Sequence, residues 1–97
     1  MGSIKLEAQF NGGTGSLSVS LTSALKKYTV HLNNANPSFS IGDAPSGLFV
    51  CAAGGNAPDS ENGSIILNIS GDINPIFNKT FPAGVIDPCT FKFKVIK

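Results

Sequence analysis

The feature that most constrains this chain is an alternation of apolar and polar residues, interrupted roughly every ten residues by turn-forming residues. Residues 4–10 alternate without a fault, and residues 17–21 and 89–95 repeat the pattern. Successive side chains of a β-strand point to opposite faces, whereas an amphipathic helix needs a period of about 3.6. No helical period outlasts a single turn, so we predict an all-β fold.

The spacing of these segments predicts an antiparallel β-sandwich of about seven or eight short strands. At this length an immunoglobulin-like or fibronectin-like architecture is the default, and a small β-barrel is the alternative. With 97 residues the chain is long enough for one core and too short for two, so residues 1–97 form one domain.

Two segments depart from simple alternation. Residues 48–53 are apolar at both parities, which is typical of a central strand buried on both faces. The segment from Gly54 to Gly63 concentrates glycine, proline and acidic or amide residues, and we predict the longest and most mobile loop there.

Charge excludes several classes of function. Only 13% of the residues are charged, with 7 lysines and no arginine against 6 acidic residues, which disfavours a nucleic-acid partner. No apolar run approaches the roughly 18 residues of a membrane span, so we expect no membrane insertion. The N-terminus does not resemble a signal peptide. A surface rich in Ser, Asn and Gly is nevertheless typical of adhesins, lectins and structural subunits, which favours an extracytoplasmic location.

Cys51 and Cys89 allow a single pairing. A disulfide would close a loop of about 39 residues and stabilise the fold by roughly 4 kcal/mol. The alternative is two free thiols that act as small apolar side chains. Because strand parity places both on apolar faces, the sequence leaves both possibilities open.

We find no constellation of catalytic or metal-binding residues, and we predict that the protein is not an enzyme and holds no cofactor. His31 is the single histidine, and its parity places it on the solvent side of a strand. Zinc is disfavoured because two cysteines and one histidine fall short of four ligands. Calcium is the weak exception, since Asp59, Glu61 and Asn62 form an oxygen-rich loop that departs from the EF-hand pattern.

Amide and acidic residues in two predicted loops are the candidate binding residues. Their oxygens and N–H groups suit hydrogen bonding to sugar hydroxyls, with or without calcium, although turn formation alone also explains them. The candidates are Asn33, Asn34, Asn36, Asn56, Asp59, Glu61 and Asn62.

Two functions remain. The first is a non-catalytic structural or protein-interaction module whose partner is another protein or copies of itself, joined through edge or terminal strands. The outward lysines Lys92, Lys94 and Lys97 in the last strand and tail oppose uncontrolled edge pairing. The second is a lectin-like glycan-binding module that uses the amide-rich loops.

Overall fold

The computed structural model describes residues 2–97, which form two packed antiparallel sheets. The sandwich predicted from the sequence is confirmed, but the described residues form nine strands rather than seven or eight, and they contain no helix. The strands are β1 (Gly2–Asn11), β2 (Ser16–Thr22), β3 (Lys27–Asn33), β4 (Ser38–Ala44), β5 (Gly47–Ala57), β6 (Ser64–Gly71), β7 (Ile73–Asn74), β8 (Phe77–Pro82) and β9 (Gly84–Val95).

The first sheet has the order β4-β1-β6-β8 and the second the order β3-β2-β5-β9-β7. Immunoglobulin constant domains instead place their first, second, fifth and fourth strands in one sheet and the remaining three in the other. The fold is therefore a sandwich of two separate sheets. The immunoglobulin-like or fibronectin-like type is not confirmed.

The alternating residues form the core between the sheets. In β1 every second side chain, from Ile4 to Ala8, is buried, and in β9 Phe93 and Val95 follow the same rule. Among the largest fully buried side chains are Ile4, Leu6, Leu17, Val19, Leu21, Leu32, Phe49, Ile65, Leu67, Ile69 and Phe93. Burial of these apolar groups is the main favourable contribution to folding.

The prediction that residues 48–53 are buried on both faces is wrong. Strand β5 is central in its sheet, but Leu48 is 50% and Val50 is 38% exposed. The first sheet covers only the inner face of β5, where Phe49 and Cys51 are fully buried. No layer within the described residues covers the outer face, so the apolar residues of β5 on that face form an exposed apolar strip.

Strand boundaries also differ around the predicted loops. β5 continues to Ala57, which shortens the predicted Gly54–Gly63 loop to residues 58–63. β9 begins at Gly84, ahead of Pro88, and the register shifts between Ala53 and Gly55, where β5 and β9 pair. Asp87 and Pro88 of β9 lie opposite the single residue Gly54, and this one extra residue forms a β-bulge, which lets a proline occur within a strand.

Asp72 joins the two sheets beside the chain termini. Its carboxylate accepts hydrogen bonds from the backbone N–H of Ser3 at 2.9 Å and from Ser3 Oγ at 3.1 Å. Its carbonyl oxygen accepts the N–H of Ile96 at 2.9 Å, and its carboxylate lies 3.4 Å from Lys97 Nζ. The Ser3 hydrogen bonds, backbone first, and then Lys97 lower the pKa of Asp72 below the ordinary 3.8.

A lowered folded-state pKa predicts acid sensitivity. The contribution of Asp72 is present above pH 3.8, the ordinary value, and is lost as the pH falls through the lower folded-state pKa. In chemical unfolding, we expect the free energy of unfolding of Asp72→Asn to fall less steeply at acid pH than that of the wild type. Asp43→Asn, which removes an exposed carboxylate from β4, should follow the wild type. An equally steep acid loss in Asp72→Asn would contradict the assignment.

Candidate functional site

Three loops meet at one end of the sandwich, which we name the loop end: residues 12–15, 34–37 and 58–63. The strand pairing places them there, because β2 pairs with β3 and β5, and Ser16 lies opposite both Asn33 and Asn56. All seven predicted binding residues therefore lie at or beside the loop end.

The loop after β1 is tied to its two neighbours. The backbone N–H of Gly15 donates to Asn34 Oδ1 at 2.8 Å, and Asn34 Nδ2 donates to the Gly13 carbonyl at 3.0 Å. On the other side, Ser60 Oγ donates to the Gly12 carbonyl at 2.8 Å. Gly12 has a φ of 83°, a conformation that favours glycine. These bonds give the loop end a defined shape.

Two of the predicted binding residues use their polar atoms within the fold. Asn33 Oδ1 accepts the N–H groups of Ala35 and Asn36 at 2.9 and 2.8 Å and so closes its own turn. Asn34 bridges two loops through both atoms of its amide. Their role in this structure is to shape the loops.

The other five predicted residues keep their side chains available. They are exposed, and their side chains form no hydrogen bond within residues 2–97: Asn36, Asn56, Asp59, Glu61 and Asn62. Across residues 2–97, no three His, Cys, Asp or Glu side chains lie close enough together to hold a metal ion. The loop end thus presents amides and two carboxylates toward solvent.

Sequence reasoning missed a second site on the side of the sandwich, where β8 and β9 lie next to each other in different sheets. Phe77 of β8 stacks on Phe91 of β9 with ring centroids 3.5 Å apart and planes 2° apart. Both rings are half-buried, as is Cys89. We name this strip of Phe77, Phe91 and Cys89 the seam. The Phe-rich parity of both strands was visible in the sequence, but their adjacency was not.

A small cavity opens where the chain passes from β8 to β9. Its volume is about 200 Å³. Lys79, which shares the inner face of β8 with Phe77, holds its Nζ 5.5 Å from the centroid of the Phe81 ring. The cavity is lined by Lys79, Thr80, Phe81, Pro82, Val85, Ile86 and Asp87.

The backbone along the seam is unpaired on one side. β8 is the last strand of its sheet, and β7 pairs only with Lys94 and Val95 of β9. The N–H of Ile96 donates to the carbonyl oxygen of Asp72, on the side of β9 where β7 lies. Backbone groups of every second residue in a strand point to the same side, so the N–H and C=O groups of Lys92 and Thr90 also point to that side. Those groups therefore face the free edge of β9.

The disulfide considered from the sequence is not formed, and both thiols are free. Cys51 lies opposite Phe91, whereas Cys89 lies opposite Ala53, so the two cysteines are diagonal neighbours. Such diagonal positions are about 7–8 Å apart, beyond the Cα separation that a disulfide usually spans. Burial, and secondarily Cys89, raises the pKa of Cys51 to about 12.

His31 lies on the exposed outer face, as its parity predicts, with Nδ1 3.0 Å from Ser18 Oγ. Ser18, but not His31, lines a shallow depression of about 240 Å³ on the outer face of the second sheet. The depression is lined by Ser18, Val19, Ser20, Thr29, Ala52, Ala53, Gly54 and Pro88. Small side chains on adjacent strands account for its shape.

Comparisons with protein-family models, with curated proteins and with solved structures found no match. Within residues 2–97, no helix has the length and apolar character needed to cross a membrane.

Proposed function

We propose that this protein is a non-catalytic structural module that assembles with copies of itself by adding strands at its free sheet edges. The observation that carries the proposal is the seam, where β8 and most of β9 lack a neighbour beside half-buried aromatic rings. An unpaired strand edge is a template for another strand. An adjoining apolar strip adds surface that gains from burial.

The opposite side of the sandwich supplies the complementary edges. There β4 ends the first sheet and β3 ends the second. If a second copy is translated across the sheets, its β4 lies antiparallel to β8 and its β3 lies antiparallel to β9. Every neighbouring pair of strands is antiparallel, and the runs β4-β1-β6-β8 and β3-β2-β5-β9 each contain four strands. The first and last strands of each run therefore point in opposite directions, and a translated copy places them side by side in antiparallel orientation.

The same translation brings aromatic residues together. Across the first sheet, Phe39, Leu6, Ile69 and Phe77 form one row of paired positions. Phe39 is 44% exposed, so Phe39 of the second copy would extend the row beside Phe77. Cross-strand aromatic pairs contribute about 0.2–1 kcal/mol each relative to alanine.

Charge and proline restrict the pairing. Lys92 would face Lys27 of the second copy, because both belong to the row through Val50 and Thr22. Pro88 has no N–H to donate, which confines useful pairing to the part of β9 that follows it. We therefore expect assembly to be weak and to strengthen with added salt, which screens exposed like charges.

The test is the oligomeric mass measured by size-exclusion chromatography with light scattering over a range of concentrations. The measured mass of the wild-type protein should exceed that of the monomer as the concentration rises. Thr90→Pro should remain monomeric because it removes an N–H on the free edge. Thr90→Ala keeps that N–H and should assemble like the wild type. A wild-type protein that stays monomeric at high concentration and high salt would overturn the proposal.

A mixing experiment tests the two-edged geometry. Phe39→Asp should also block assembly, because it places a carboxylate in the aromatic row. Each variant retains the edge that the other lacks, so a mixture of Thr90→Pro and Phe39→Asp should form capped dimers. Two copies joined through different surfaces require this outcome, whereas a symmetric dimer interface would leave the mixture monomeric.

The loop end supports a second candidate function, glycan binding. Its observation is that Asn36, Asn56, Asp59, Glu61 and Asn62 converge there with free polar atoms. Asp59→Ala with Glu61→Ala should abolish binding on a glycan array, tested with and without calcium. An array that is blank under both conditions for the wild type would exclude this candidate.

A further inference from the structure

The lysines are distributed unevenly. Opposite the loop end lie the turn after β2, the end of β9 and the chain termini, and we name this region the terminal end. It holds Lys26, Lys27, Lys92, Lys94 and Lys97, with Asp43 and Asp72 as its acidic residues. Asp72 is already engaged by Lys97 at 3.4 Å and by Ser3.

The terminal end also carries exposed apolar side chains. Leu25 is 79% exposed in the turn between β2 and β3, and Ile76 is 70% exposed between β7 and β8. Ile96 is 62% exposed directly after β9, and Leu48 is 50% exposed at the start of β5. These side chains occur singly, one at each of several strands across the second sheet.

Their arrangement suits a flat partner. Neighbouring strands lie about 4.8 Å apart, so the exposed apolar side chains from β2 to β7 extend over roughly 15–20 Å along a single end of the sheet. A protein interface would instead concentrate its apolar residues in a central patch with a polar rim. Isolated apolar tips interleaved with lysines match a surface that is anionic outside and apolar immediately beneath.

We propose that the terminal end docks peripherally on an anionic lipid surface. Lys27, Lys94 and their neighbours would lie among the headgroups, and Leu25, Ile76 and Ile96 would enter the boundary with the acyl chains. A lysine beside an anionic membrane strengthens binding by about fivefold. The chain would lie on the bilayer without spanning it.

The opposite end favours the same orientation. Asp59 and Glu61 lie in the loop end, and Asp87 lies in the part of β9 nearest to it. The molecule extends 40 Å along its longest axis, which exceeds the roughly 10 Å screening length at 0.1 M salt. An anionic surface therefore attracts the terminal end and does not attract the loop end.

The experiment is co-sedimentation with vesicles of phosphatidylcholine alone or with added phosphatidylserine. We expect binding only with phosphatidylserine, and weaker binding as salt rises. The double variant Lys27→Gln with Lys94→Gln should bind about 25-fold more weakly. Leu25→Ser should bind roughly tenfold more weakly, because it loses an apolar side chain that the membrane would bury.

Matched controls exist elsewhere on the surface. Val85 is 80% exposed near the loop end, so Val85→Ser removes an apolar tip as prominent as Leu25. Lys79→Gln removes a lysine from β8, away from the terminal end. Both controls should bind vesicles like the wild type, and circular dichroism checks that every variant is folded.

Three results would overturn the proposal: equal binding to both vesicle types, equal losses in the control variants, or binding to soluble polyglutamate without binding to vesicles. The last result would indicate an acidic protein partner. The proposal is independent of self-assembly, because Thr90→Pro leaves the terminal end intact and should retain vesicle binding as a monomer.

Discussion

Replacing Phe49 by alanine should lower the free energy of unfolding by about 3–5 kcal/mol, a large share of the stability of a domain of this size. Phe49 is fully buried in β5. Its ring stacks on Phe93 with centroids 5.6 Å apart and lies 6.3 Å from the ring of Tyr28. The truncation removes apolar burial and leaves a cavity among residues from three strands.

The neighbouring residue is the matched control for chemical denaturation. Val50→Ala shortens a side chain that is 38% exposed on the opposite face of the same strand, and it should cost less than about 1 kcal/mol. Phe49→Leu retains much of the apolar volume and should fall between the two. Similar losses for Phe49→Ala and Val50→Ala would contradict the packing described for β5.

Alkylation should label Cys89 well before Cys51. The thiolate is the reactive form, and burial raises the pKa of Cys51 from 9.0 to about 12, so its thiolate fraction at neutral pH falls about 1,000-fold. Cys51 is also fully buried, whereas Cys89 is half-buried at the seam. Iodoacetamide under native conditions should add one label rapidly, at Cys89.

Mass spectrometry of time points with and without denaturant measures both rates. Cys51 should react only as fast as the domain unfolds, and Phe49→Ala should accelerate that reaction. The same raised pKa predicts that stability falls between pH 9 and 12, as the unfolded thiol ionises first, and Cys51→Ala should remove this contribution. Equal labelling of both thiols in the native protein would show that Cys51 is accessible.

Much of the fold was predictable from the residues. The alternation in residues 4–10 and 89–95 identified β1 and the second half of β9 and the side of each that is buried. The turns were predicted near their observed positions, but Asn33 and Asn56 lie within β3 and β5, and the Gly54–Gly63 loop is shortened to residues 58–63. The convergence of these loops at one end follows from antiparallel pairing. The roles of Asn33 and Asn34 in shaping those turns could not be separated from binding, because the same amide serves either purpose.

Other features depend on contacts that no local pattern encodes. Leu48 and Val50 have the composition of a strand covered on both faces, yet only one face has a neighbouring layer. Phe77 and Phe91 face each other because β8 is the edge strand of its sheet and β9 lies next to the edge of the other sheet. The diagonal placement of Cys51 and Cys89 likewise depends on the register of β5 with β9.

By itself, the sequence determined that this protein is an all-β domain, where most of its strands lie and which side of each strand faces inward. These properties are local, because strand alternation and turn chemistry act over a few residues. Only the tertiary structure decided strand order, the free edge of β9, the seam and the separation of lysines from acidic loops. Backbone hydrogen bonds between strands are nearly independent of side-chain identity, so the choice of neighbours emerges only when the whole core packs.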